Sequence, residues 1–522
     1  MPVGNDPGLA ERLLAQAATP NPLGALVERS AAAWPSAIAF ELELDDGTTR
    51  SLDFGTLHIR VATAAAELRR RGVRAADAVL LSGANDLNFV VSWLAIVHIG
   101  AIVVPLPIVS AAAEVAARAL ATHARLLLHD RERSETASTA RDLGDHLDLL
   151  SLDELAAADS ATATGEGPPA SAEAVGADAP AMILFTSGTT GTPRGAIISH
   201  RTLALHTTLL ACELIGLGAD DRILGVLPLT HSYGARMVLL ATLVSGARTL
   251  LVPRFDAART LEQMIRHRTT WIPAVPTMFA AWGSLAKGRR PKLRWCLSAG
   301  APLADEILHR AEARLDTTIR QAYGMTEATL ATLDAPPQCR TIGSVGRVVP
   351  GVEVKLINTE GLEVPPGQRG EILIRGHNLM SGYLDDTQAS QDALQDGWMH
   401  SGDVGCLAAD GLLCVVDRIK DMIIRGGNNV YPSEVEAVLA EHPGVREAAV
   451  VGRPDPWYGE EIVAFLVPTN PADPPDPGDL ERFCRSRLAR TKVPREWHIV
   501  EAFPLGPSRK ILKRELRARL DS

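Results

Sequence analysis

The segment Ile183-Leu-Phe-Thr-Ser-Gly-Thr-Thr-Gly-Thr-Pro-Arg-Gly195 packs small hydroxyl side chains and glycines into one short run. Backbone N–H groups and hydroxyls from Thr186, Ser187, Gly188, Thr189, Thr190 and Gly191 can converge there on a polyphosphate without a bulky side chain in the way. A triphosphate is the natural guest. No Gly-Lys-Ser/Thr closes the run, and Ala196-Ile-Ile-Ser199 continues it as a strand where a Walker loop would begin a helix. That difference turns attention from phosphoryl transfer to nucleotidyl transfer. Taken alone, the segment reads equally as a Gly/Thr-rich turn between two core strands.

Further runs come in order: Ser298-Ala-Gly-Ala-Pro-Leu303, Gln321-Ala-Tyr-Gly-Met-Thr-Glu327, Trp398-Met-His-Ser-Gly-Asp403, Asp417-Arg-Ile-Lys420, Arg425-Gly-Gly-Asn-Asn-Val-Tyr-Pro-Ser-Glu-Val-Glu436 and Pro504-Leu-Gly-Pro-Ser-Arg-Lys-Ile-Leu512. Singly, each has an ordinary alternative. Tyr-Gly-Met-Thr-Glu is a turn entering a helix capped by Thr326; Asp403 is a turn residue after Gly402; Arg418 and Lys420 are a solvated linker, and Lys510 is one charge of a basic terminal helix, Arg509 to Arg519. Gly426 and Gly427 are a plain hairpin turn.

Together with the phosphate loop these runs resemble the signature of the adenylate-forming superfamily: acyl- and aryl-CoA synthetases, adenylation domains of peptide synthetases and firefly-type luciferases. The resemblance extends from about residue 23 to residue 518 and is closest to the acyl-CoA synthetases. It implies ATP, Mg²⁺ and CoA. ATP or AMP would meet Thr186 to Gly191, Arg194, Gly300, Ala301, Pro302, Tyr323 (adenine packing), Gly324, Met325, Thr326 (α-phosphate), Asp403 (ribose hydroxyls) and Arg418. Glu327 would hold the metal, Lys420 would be the hinge, and Gly426, Gly427 and Asn428 would form the thioester-forming loop. Lys510 would be catalytic, with Thr186, Glu327 and His231. A mobile ammonium suits charge developing on both the carboxylate and the α-phosphate.

His231, in Leu227-Pro-Leu-Thr-His-Ser-Tyr-Gly234, matches a family position bordering the acyl pocket, which the resemblance also lines with Tyr233, Gly300 and Gly324. Without the resemblance a lone His in an apolar run reads as a core or helix-capping residue. Arg236 could meet a second anionic group on the substrate, but a structural salt bridge is the expected role. Three residues depart from the family pattern, the first being Thr230, which precedes His231 where the family usually has an aromatic residue. Arg194 replaces the usual lysine, exchanging a point charge for a planar fork with phosphate contact expected to survive. Arg509 replaces the usual glycine before Lys510, which puts docking of that loop in question.

These residues need elements to hold them. With 522 residues the chain exceeds one hydrophobic core. Helical and strand periods alternate from about Leu23, as in helix 56–71, strand 78–82 and helix 87–99. The expected fold is α/β: a large multi-subdomain N-terminal domain, residues 1–419, with two α/β sheets and a β portion, and a small mobile C-terminal α/β domain, residues 420–522. Much of the Ala/Ser/Thr/Gly/Pro-rich stretch from Asp130 to Pro180 reads as surface connection, and Pro468 to Pro477 as an extended loop.

A net charge of -10 argues against nucleic acid. The apolar run 89–109 is broken by His98, Gly100, Pro105 and Pro107, so it reads as a buried helix entering a strand and not as a membrane span. Six cysteines without CxxC spacing read as reduced, mostly buried thiols of a cytoplasmic protein. The reaction expected is ATP-dependent activation of a carboxylic acid as an acyl-adenylate, then transfer to CoA. Loading of a carrier-protein pantetheine, a stop at the adenylate, and a nucleotide-binding regulatory protein are the alternatives. A homodimer is compatible with all of them.

Overall fold

A computed structural model of the chain describes residues 22–144, 147–162, 171–186, 193–504 and 511–520. Ser187, Gly188, Thr189, Thr190, Gly191, Arg509 and Lys510 lie outside the described residues. The expected α/β class holds: a large N-terminal domain of several sheets is followed by a small C-terminal one.

Three sheets arise from residues up to 418 and a fourth from residues 423 onward. The nine-stranded sheet runs parallel through Ile319–Gly324, Trp295–Ser298, Trp271–Ala274, Arg222–Gly225, Arg248–Leu251 and Ile38–Glu43. The seven-stranded sheet centres on Pro180–Thr186, Ile102–Leu106, Ala78–Ser82 and Leu126–His129, also parallel, and ends in the antiparallel strands Arg194–Ser199 and Gly382–Tyr383. The third, wholly antiparallel, contains Trp398–Leu407 and Leu413–Arg418.

Local chemistry explains the helices between these strands. Asp53 accepts the Thr56 N–H at 2.6 Å to start Phe54–Arg70, and Asp86 accepts the Phe89 N–H at 2.7 Å to start Leu87–His98. Every residue of the second helix is buried, which is why its sequence is apolar all round. It runs into strand Ile102–Leu106 as expected, and no helix among the described residues is long and apolar enough to cross a membrane.

Two readings of texture need correction. The stretch from Asp130 to Pro180 contains helix Ser134–Leu143, strand Asp148–Ser151 and helix Leu152–Thr162; its many alanines are helix formers whose small side chains leave a faint period. Of the cysteines, Cys296 and Cys484 are buried, Cys339 is exposed and the other three are half-buried, all as free thiols.

The C-terminal part has its own two cores, one around Ile423, Val435 and Leu466, the other around Val451, Phe465 and Leu516. A long hairpin, Val445–Asp455 with Gly459–Pro468, separates them. The terminal helix is Lys513–Ala518, shorter than the Arg509 to Arg519 run suggests.

His200 opens the helix after strand Arg194–Ser199 and is fully buried, with both ring nitrogens unpartnered. Burial lowers its pKa to about 4. A depressed folded-state pKa means the unfolded chain takes up the proton first, so this contribution is complete above pH ~6.5 and is lost as pH falls toward 4. Burial also depresses His206 and His377. Between pH 7.5 and 5.0 the protein should lose stability, with about 2 kcal/mol of the loss due to His200. Urea midpoints at the two pH values check this. His200→Leu should show a correspondingly smaller drop, and an unchanged drop would remove His200 as a cause.

Candidate active site

Parallel strands gather binding loops at their carboxyl ends. Trp295–Ser298 and Ile319–Gly324 are neighbours, with Ser298 opposite Gln321, so Gly300 and Tyr323 leave the same edge of the large sheet. Gly300 has φ +89°, a left-handed value that suits glycine. At Gly324 a Cβ would stand 2.3 Å from the Thr329 carbonyl oxygen, so the chain can turn back there only without a side chain. The next element is strand Leu330–Leu333, so Thr326 does not cap a helix. Met325 and Thr326 are half-buried in the intervening turn, and Ala301 and Pro302 are exposed beside Gly300.

The residues selected for adenine, ribose and the linker come together. The Tyr323 hydroxyl donates to Asp403 Oδ2 at 2.7 Å, and Arg418 Nε lies 3.3 Å from Asp403 Oδ1. Asp403 sits within strand Trp398–Leu407, directly opposite Arg418 on Leu413–Arg418, and is 8% exposed. It is therefore not a simple turn residue. Burial, then the Asp403 charge, raises the Tyr323 pKa, which keeps its hydroxyl a donor. Glu371, which sequence reasoning missed, holds the approach to Asp403: it accepts the Gly402 N–H at 3.1 Å and lies 3.3 Å from His400 Nδ1.

A second group forms around Arg194. Thr186 and Arg194 pair across the antiparallel strands Pro180–Thr186 and Arg194–Ser199. Arg194 Nε lies 3.3 Å from Asp386 Oδ2, and its guanidinium stands 5.7 Å from the Tyr383 ring centre. Tyr383 donates its hydroxyl to Glu327 Oε1 at 3.1 Å. Burial, then the Glu327 charge, raises the Tyr383 pKa. A cleft of about 540 Å³ opens beside Arg194, lined also by Phe185, Leu384 and Asp386. Neither Tyr383 nor Asp386 stood out in the sequence; the Gly-Tyr-Leu-Asp-Asp run looks like any turn.

The other selected residues have contacts of their own. His231 Nδ1 accepts the Tyr233 N–H at 3.2 Å, capping a short helix, and the buried Tyr233 hydroxyl donates to the Leu297 carbonyl at 3.1 Å. Arg236 makes no ion pair among the described residues, which corrects the expected salt bridge. Its guanidinium is buried, donates to the Thr202 carbonyl at 3.0 Å, and has its pKa lowered to about 9 by burial. Lys420 lies in the turn Ile419–Asp421; burial, then Arg418, lowers its pKa. Gly426 and Gly427, at φ +57° and +77°, make the two-residue turn between Ile423–Arg425 and Asn428–Val430. Two successive positive φ values are what a tight hairpin of this hand requires. The Gly426 N–H donates to the Tyr458 carbonyl at 2.7 Å, and the Asn428 amide reaches the Arg425 and Gly426 carbonyls at 3.4 and 3.3 Å.

No group of three or more His, Cys, Asp and Glu side chains suited to a metal occurs among the described residues. Glu327 is 7% exposed and accepts from the Tyr383 hydroxyl. One carboxylate plus substrate phosphates is a donor set that suits Mg²⁺, which seldom takes an all-protein cage.

The fold is a multi-sheet α/β architecture with the candidate residues spread over four sheets. The chain belongs to the AMP-binding enzyme family: residues 27–384 match that family's model, and residues 434–510 match the model of the AMP-binding enzyme C-terminal domain. It is 36% identical over 474 residues to a feruloyl-CoA synthase of Amycolatopsis sp, covering 90% of this chain and 94% of that one. Among solved structures it is similar to ATP-bound MatB from Rhodopseudomonas palustris, with a TM-score of 0.85, 26% identity and 99% of each chain covered. It is also similar to o-succinylbenzoate CoA synthetase from Bacillus subtilis in complex with the acyl-adenylate OSB-AMP, with a TM-score of 0.84, 29% identity, and 96% of this chain and 98% of that one covered.

Proposed function

We propose that the chain is an AMP-forming acid–CoA ligase. A carboxylate oxygen of the acid attacks the α-phosphorus of ATP and expels pyrophosphate; the CoA thiol then attacks the carbonyl of the resulting mixed anhydride and releases AMP. The observation that carries this reading is the junction of buried Tyr323 and Asp403 with the exposed Arg418. The Asp403 carboxylate, which accepts from Tyr323 and pairs with Arg418, is the acceptor type that two ribose hydroxyls require. The named activities of the relatives support CoA as acceptor. Those relatives differ in the acid they name, so the class proposed is the ligase and not one acid.

In this reading Thr186 and the loop contact the phosphates, with Gly300, Ala301, Pro302, Gly324, Met325 and Thr326 around the nucleotide. His231 and Tyr233 border the acid. Mg²⁺, when bound, neutralises phosphate charge, and Glu327 is the residue to hold it. Residues 1–419 form the nucleotide- and acid-binding domain. Residues 420–522 form the mobile one, turning at Lys420 to exchange Lys510 for the Gly426, Gly427 and Asn428 turn. The turn Ile419–Asp421, between strands of different sheets, supports this division.

Pyrophosphate release over a panel of carboxylic acids, with and without CoA, tests the reading. Release should require an acid, and acyl-CoA with AMP should appear only when CoA is present. Thioester formed on a carrier protein but not on CoA would overturn the acceptor. No acid supporting release or ATP–pyrophosphate exchange would overturn the ligase.

A further inference from the structure

We propose that Tyr383 is a positioning residue that fixes the Glu327 carboxylate for the divalent cation accompanying ATP; this rests on the metal role proposed for Glu327. Four backbone contacts set Tyr383 in place. The Met380 N–H donates to the Glu327 carbonyl at 2.7 Å, and the Ser381 N–H donates to the Ile197 carbonyl at 2.8 Å. The Leu384 N–H donates to the Gly195 carbonyl at 2.8 Å. The Tyr383 N–H donates to Ser390 Oγ at 2.8 Å. Tyr383 itself pairs with Ala196 in the strand that leaves the phosphate loop. The segment 380–384 is thus stitched on one side to the backbone of Glu327 and on the other to strand Arg194–Ser199.

From that fixed backbone the phenol reaches Glu327 Oε1 at 3.1 Å, while its ring meets the Arg194 guanidinium. One residue therefore touches both the candidate metal carboxylate and the loop cation. The phenol uses one of the carboxylate's acceptor sites and leaves the rest to a cation. A Glu side chain has three rotatable bonds, and a neutral donor that holds it without competing for the cation lowers the ordering cost of metal binding. A phenylalanine would fill the same space, so space-filling alone does not account for the hydroxyl.

The test is Tyr383→Phe in the full chain, read by electron paramagnetic resonance of Mn²⁺ in the presence of a non-cleavable α,β-methylene ATP analogue. Loss of a hydrogen-bonding partner behind a metal ligand typically weakens metal affinity by 10- to 100-fold. The expected result is Mn²⁺ affinity about 10-fold weaker, with metal-free analogue binding in EDTA and the thermal midpoint unchanged. The Mg²⁺ concentration for half-maximal pyrophosphate release should rise in parallel, with kcat recovered at saturating Mg²⁺. Unaltered Mn²⁺ affinity, or equal losses with and without metal, would overturn the proposal. Glu327→Gln is the control: if it too leaves Mn²⁺ affinity unaltered, the metal role of Glu327 fails instead.

Discussion

Replacing Lys510 with alanine should lower acyl-adenylate formation by roughly 10²- to 10³-fold, the loss expected when one contact to developing charge disappears. Thioester formation from supplied acyl-adenylate should proceed at close to the wild-type rate. The asymmetry arises from the proposed division of labour. An ammonium that stabilises charge on the α-phosphate matters only while the phosphorus is attacked. Lys510 ends the matched C-terminal family segment. The Leu512 N–H donates to the Pro504 carbonyl at 2.8 Å, and Phe503 and Ile511 pack into one core. Single-turnover measurement of each half-reaction decides the matter; equal loss in both would defeat the domain-exchange assignment.

Asp403→Ala should be nearly as damaging, through two separable effects. Two hydrogen bonds from ribose hydroxyls to a carboxylate are worth about 1.5–3 kcal/mol each, so kcat/KM for ATP should fall by roughly 10²-fold or more. The change also strips the buried Tyr323 hydroxyl of its acceptor and Arg418 of its ion pair, at a cost of about 1–3 kcal/mol in folding stability. Asp403→Asn keeps the shape and an acceptor oxygen while removing the charge, so it should cost less stability than alanine and still impair ATP use. The diagnostic comparison is ATP against 2′,3′-dideoxy-ATP. Wild-type enzyme should prefer ATP strongly, and the alanine variant should lose that preference. A variant that still discriminates would take the ribose role away from Asp403.

Much of this site can be read from the chain because its parts are locally encoded. Glycines and hydroxyls adjacent in sequence are adjacent in space, so the loop signalled phosphate, and the order of Glu327, Asp403, Arg418, Lys420 and Lys510 signalled the family. The α/β alternation and the helix entering strand Ile102–Leu106 were equally legible, since periodicity reports which face is buried. The stretch from Asp130 to Pro180 was misread because alanine-rich helices carry weak hydrophobic contrast.

Tertiary structure alone decided which of these residues meet. The contact between Tyr323 and Asp403 spans 80 residues, and the one between Tyr383 and Glu327 spans 56. Neither separation has a local signature, because strand order and register set both. The same holds for Arg236: its sequence neighbourhood suggested a salt bridge, yet its guanidinium is buried with a backbone carbonyl and a hydroxyl as its only polar partners among the described residues. Arg194 shows both limits at once. Its place in the phosphate loop and its departure from lysine are written in the sequence, while its pairing with Asp386 and the Tyr383 ring exists only because strand Gly382–Tyr383 adds to the edge of the hairpin that carries it. Residue type and spacing determine what chemistry a segment can do. The pairing of distant strands determines which partner each charge finds, because burial makes an unpaired charge costly and only the assembled sheets say what is close enough to pair.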